Sequence, residues 1–196
     1  MLEVPSALDR SQGDIHAAGN PHYLMDPENG IIVARNLADA FGKADPPLAE
    51  KFNGRLQTFT EDLRKQLAGW QKRLEPCRDQ CIVAYHNSWV YFGRRFGFKI
   101  NLFLEPKPGI PPTPSHLADV ITRMKEQKAH IIIVDYYLDQ RTAETVAGRT
   151  GAATVKVSQF PGAIKGTEGG YIELMNYLVE SLAKAFESHS DLPAPK

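Results

Sequence analysis

The sequence carries no surplus of charge: 23 Lys and Arg balance 23 Asp and Glu over 196 residues. That balance gives no electrostatic case for nucleic acid or an anionic membrane surface as partner. No apolar run approaches the roughly 20 residues that cross a bilayer. Met1 to Arg10 has neither a basic start nor an apolar stretch, so no signal peptide is legible in this chain. Cysteine is scarce, with only Cys77 and Cys81. No second Cys or His pair stands at zinc-knuckle spacing. The pair reads either as two separate thiols, with Cys81 buried, or as a short-range disulfide in an exported protein. Catalytic signatures are lacking too: there is no GxSxG elbow, no HExxH, no Walker loop and no GxGxxG after a strand.

What is present is an ordinary globular composition, 42% hydrophobic and 23% charged, arranged in three zones and a tail. Residues 1–45 hold one regular element. Asp26-Pro27-Glu28 is a helix start, with Asp as N-cap, Pro at the first position and acid in the first turn. Ile31, Ile32, Ala34, Leu37, Ala38 and Phe41 give that helix a wide apolar face, with Gly42 as its expected end. One helix cannot bury such a face alone.

Residues 46–75 read as one long helix. Leu48, Phe52, Leu56, Phe59, Leu63, Leu67, Trp70 and Leu74 recur by threes and fours, the helical period held for about seven turns, or about 40 Å. A coiled-coil arm would pattern its outer face with paired charges and would avoid Gly54 and Gly69. A packed spine joining two lobes fits better. Residues 76–188 alternate strand and helix: CIVAYH, KINLFLE, HIIIVD and TVKVSQ as strands, with helices over Trp89–Phe96, Pro114–Lys128, Arg141–Thr150 and Gly170–Phe186. Gly97 and Gly151 stand as C-caps. The rhythm predicts an α/β fold, a parallel sheet with flanking helices. Residues 189–196 read as a disordered tail.

In an open parallel sheet, ligands bind beyond the carboxyl ends of the strands. His86, Glu105, Asp135 and Ser158-Gln159 stand at those ends, and an imidazole with two carboxylates on one edge makes a metal-facing rim. His86 precedes Asn87-Ser88, read as the cap of the next helix. The positive end of that helix would disfavour imidazolium and keep His86 neutral, as ligation requires. His22 lies between Pro21 and the Asp26 cap, fixed in place, either as a ligand or as a structural histidine. His16, His116, His130 and His189 read as solvated. Five prolines between Pro106 and Pro114 stiffen a wall beside the rim.

The segments NPHYLMDPENGIIVARNLADAF, IVAYHNSWVYFGRRFGF and LEPKPGIPPTPSHLADVI closely resemble the solute-binding proteins of zinc/manganese ABC importers. The resemblance runs in order to about Phe186. It implies two α/β lobes joined by a rigid helix, with residues 1–45 a remnant of the first lobe and most of that lobe missing. It implies metal ligands at His22, from the NPH motif, and at His86. Manganese carriers tend to have a carboxylate at the latter position, so histidine there points to Zn2+ ahead of Mn2+. Two departures stand out: the family's first histidine lies upstream of this chain, and the aspartate expected near Ser158 and Gln159 is absent, leaving Glu105 or Asp135 to compensate. The expected partners are the metal ion, a membrane permease of an ABC importer and, through the exposed first-lobe remnant, a second copy. The expected location of the parent is the periplasm or cell envelope, and no enzymatic activity is implied. Alternatives are a metal-dependent enzyme fragment and a binder of a corrinoid or siderophore-type chelate.

Overall fold

A computed structural model describes residues 2–6, 13 and 16–189. Helix α1 spans Pro27–Ala44, capped as its sequence requires by the Asp26 carboxylate, which accepts from the Glu28 amide at 3.1 Å. It does not end at Gly42, whose backbone stays helical. It breaks at Asp45, because the ring of Pro46 crowds the preceding residue out of the helical region, and Asp45 takes φ −135° and ψ 80°. A single 3-10 turn, Pro46–Leu48, leads into α2, Ala49–Leu74, about 39 Å long at 1.5 Å per residue.

The apolar stripe of α2 is buried unevenly. Leu63, Leu67, Trp70 and Leu74 are core residues, whereas Leu48 is 40% exposed. The first half of the helix meets α1 through contacts such as Phe41 on Phe52. The second half lies on the sheet domain, where Trp70 Nε1 donates to Asn176 at 2.7 Å. Arg73 adds ion pairs to Glu180 and Glu187. These are exposed and contribute little.

Four strands make the sheet, β1 Cys81–Ala84, β2 Lys99–Phe103, β3 Ile131–Asp135 and β4 Ala153–Val157. All pair in parallel, in the order β2-β1-β3-β4. The connecting helices are α3 Val90–Phe96, α4 Pro114–Glu126 and α5 Gln140–Thr150, with α6 Tyr171–Ser188 after the last strand. The central strands β1 and β3 are buried along their whole length, as near-continuous apolar runs should be in a sheet covered on both faces. Side chains alternate between the two cores. Ile82, Ala84, Ile131 and Ile133 face α2, α3 and α6, while Val83, Ile132 and Val134 face α4 and α5. Gly97 and Gly151 end α3 and α5 in the left-handed conformation, as expected of C-caps. The N-cap of α3 is Trp89, with no side-chain cap bond. The expected cap by Asn87-Ser88 is therefore corrected: the Asn87 amide turns to Glu3 instead.

Strand order β2-β1-β3 reverses the winding at β1, so a crevice opens between the carboxyl ends of β1 and β3. Cys77 and Cys81 are buried free thiols, which excludes the disulfide reading here. Ser188 ends α6 and His189 forms its C-cap. Residues 190–196, where most of the tail was expected, lie outside the described residues.

Candidate metal site

His86 stands two residues past β1, not within the strand, and Glu105 two residues past β2. Ladder bonds carry on beyond both strand ends, the Glu105 amide donating to the Tyr85 carbonyl at 3.0 Å. Glu105 and His86 therefore sit side by side, with His86 Nδ1 2.6 Å from Glu105 Oε2. Glu105 also accepts from the Gly109 amide at 3.3 Å, which ties it to the proline-rich wall. A carboxylate on Nδ1 fixes the tautomer and aims the lone pair of Nε2 outward.

His22 reaches the same place from outside the sheet. Its turn is clamped to the domain at several points. Arg95 forks onto Asp26 at 2.6 and 2.9 Å; the Tyr91 hydroxyl donates to the Asn20 carbonyl at 3.0 Å, and Tyr171 to the Leu24 carbonyl at 2.7 Å. The Asn20 side chain accepts from the His22 amide at 3.0 Å and faces its Nδ1 at 2.7 Å. Asn20 is itself held, its amide donating to Glu3 at 2.9 Å and to the Asn87 carbonyl at 2.8 Å. Both histidines thus engage Nδ1 in hydrogen bonds.

The two rings meet edge to face with centroids 5.5 Å apart. They open into a cavity of about 340 Å³ whose lining includes His16, Glu3, Phe103 and Glu105. Burial lowers the His22 pKa to about 4, helped by charge repulsion from His86 and then His16. A ring that resists protonation at neutral pH is ready to bind a cation.

Asp135 does not join this group. It is fully buried, accepting from Trp89 Nε1 and Gln159 Nε2, each at 3.1 Å. Burial pushes its pKa up, against those two hydrogen bonds. Gln159, where an acid was expected, serves as a donor to that buried carboxylate. His116 Nε2 lies 3.0 Å from the Phe103 carbonyl. His130 and His189 face each other at 6.0 Å, away from the cavity. Sequence reasoning missed Glu3, Asn20 and His16. All three lie on irregular chain, where no periodicity marks a residue; only the proximity of Asn20 to the NPH motif was there to be used.

A parallel sheet with a long helix behind it and a crevice at the strand ends is an α/β fold found among solved metal-binding proteins. The structure of one of them, FpvC from Pseudomonas aeruginosa in complex with Mn2+, superposes with TM-score 0.74 at 22% identity, covering 92% of this chain and 69% of that one. The chain belongs to the family of the zinc-uptake complex component A, periplasmic (ZnuA), whose model matches residues 2–185. It is 29% identical over 201 residues to the iron-binding protein YfeA of Yersinia pestis, covering 94% of this chain and 63% of the relative. It is 24% identical over 161 residues to the high-affinity zinc uptake system protein ZnuA of Brucella abortus, covering 82% of this chain and 48% of the relative. The chain thus spans about half to two thirds of the length of the curated relatives it matches. No described helix is long and apolar enough to cross a membrane.

The state of His22 yields a direct check. A histidine with a depressed folded pKa stabilises the fold above its unfolded value of about 6.5, and that contribution is lost as pH falls toward its folded value of about 4. A proton NMR titration of the metal-free chain should therefore place the His22 ring inflection near 4, with thermal stability dropping between pH 6.5 and 4. An inflection near 6.5 would contradict the buried, neutral ring.

Proposed function

We propose that this chain is the metal-holding part of a solute-binding protein that captures a divalent transition metal, zinc first, and hands it to an ABC-type importer in the membrane. The observation that carries the reading is the pair His22 and His86, both oriented through Nδ1, over one cavity. Neutral imidazoles bind zinc at about 2.0–2.1 Å, and nitrogen donors favour it over manganese, which prefers oxygen. Glu105 serves here as the orienting carboxylate of His86, with its second oxygen as a reserve donor, and Asp135 supports the floor without coordinating. Relatives named for zinc and iron support a role for the parent in metal traffic, and the periplasm is the compartment the family's description supports.

Capture and handover need no bond chemistry. A metal-dependent enzyme would require a general base beside an open coordination position, and the adjacent carboxylate, Glu105, is committed to His86. A corrinoid or siderophore-type chelate would want a broad aromatic cleft, whereas Phe103 is the one aromatic ring, besides the histidines, among the described residues lining the cavity.

Competition dialysis with elemental analysis tests the metal: zinc should be retained ahead of manganese, and manganese retained first would overturn the zinc reading. In calorimetric titrations, His22→Ala and His86→Ala should each abolish zinc binding, while His130→Ala and His189→Ala leave it unchanged. Unaltered binding in His86→Ala would put the site elsewhere.

A second partner reading rests on α1. Ile32, Leu37 and Phe41 are 51%, 48% and 51% exposed along it, an apolar strip of the kind that marks a contact surface. A second copy is the cover that the chain itself can supply. Sedimentation velocity should show a concentration-dependent dimer, and a sharp monomer boundary at high concentration would rule it out.

A further inference from the structure

Zinc sites close on three or four donors, and the pair His22 and His86 supplies two. Among the described residues, no three side chains of His, Cys, Asp or Glu converge on one coordinating point. Among the described residues, a further donor has to be a side chain that lines the cavity and can move into it. Asp135 is sealed beneath Trp89 and Gln159. Glu105 holds His86 and the Gly109 amide, and Glu3 holds the amides of Asn20 and Asn87. Each does so through Oε2 alone, so each keeps Oε1 as a reserve oxygen donor, and neither supplies a further nitrogen.

His16 has no such commitment to the ligand pair. It is exposed at the cavity mouth and lines both hollows that His22 and His86 share. The Gly19 amide donates to the His16 carbonyl at 2.9 Å, closing a turn. Gly13, at φ +79°, packs so tightly on the proline wall that a β-carbon there would collide with the Pro108 carbonyl. That close approach and left-handed backbone call for glycine.

We propose that His16 is a third imidazole donor, swinging from the mouth onto a metal held by His22 and His86 and so completing a nitrogen-rich site within this chain. This rests on the metal-capture reading above. Its donor class strengthens the preference for zinc.

The test uses Zn2+ alone with the full chain, pairing calorimetric titration with zinc-edge X-ray absorption on wild type, His16→Ala, His22→Ala and His86→Ala. His16 is exposed, so its replacement leaves the core untouched. The expected result is three imidazoles around zinc in wild type, two in His16→Ala, and an affinity loss of at least about tenfold, the lower end of what even an indirect supporting partner costs. If His16→Ala binds like wild type with the same imidazole count, while His22→Ala and His86→Ala lose the metal, His16 is no ligand and the capture reading stands. If His22→Ala and His86→Ala also bind unchanged, or wild type binds no zinc, the capture reading fails and this inference falls with it.

Discussion

The Asp26 carboxylate holds this molecule in a functional shape. One oxygen caps α1 by accepting from the Glu28 amide, and the two oxygens together receive the fork of Arg95 on α3. Charge-assisted, two-point bonds of this kind are about twice as strong as neutral ones and fix orientation as well as distance. The pair is largely buried, with side chains 14% and 28% exposed, so solvent screens it only in part. The same carboxylate starts the helix just after His22 and fastens it to the helix just after His86. The two imidazoles come from segments far apart in the chain, and this clamp, with Tyr91 and Tyr171 on either side, sets the distance between them.

The sheet supplies the other half of the geometry. Its two central strands are buried throughout and cannot shift without disturbing both cores. The chain leaving β1 and β2 is therefore held firmly, and the His86–Glu105 pair inherits that rigidity. Carboxylates orient the imidazoles from the same cavity wall and from beneath it. Glu105 orients one ring, Glu3 orients the other through Asn20, and Asp135 lies deepest, its charge opposed by burial. The result is a cavity whose wall holds imidazoles and carboxylates together, with a buried carboxylate beyond it.

Much of this architecture was legible in the sequence because it obeys local rules. The steps of three and four from Leu48 to Leu74 specified α2, Asp26-Pro27 specified the start of α1, and the apolar runs around Ile82 and Ile132 specified central strands. The expected end at Gly42 failed because glycine tolerates a helix, whereas the Pro46 ring imposes its limit on Asp45. The strand-end rule located Glu105 and Asp135 on the correct edge but is blind to depth, so it could not tell a rim residue from a buried one. Nor can it separate a coordinating carboxylate from an orienting one, since that depends on the pairing of Leu104 and Glu105 with β1. Glu3 was illegible because its placement depends on a long-range contact with Asn87, and His16 because it lies on irregular chain that no periodicity marks.

The central claim is that His22 and His86 turn their Nε2 atoms toward one ion. Crystals of the chain grown with zinc, measured above and below the zinc absorption edge, test it most directly. A single strong anomalous peak is expected between the two rings, about 2.0–2.1 Å from each Nε2. A peak at His130 and His189, with none between His22 and His86, would contradict it.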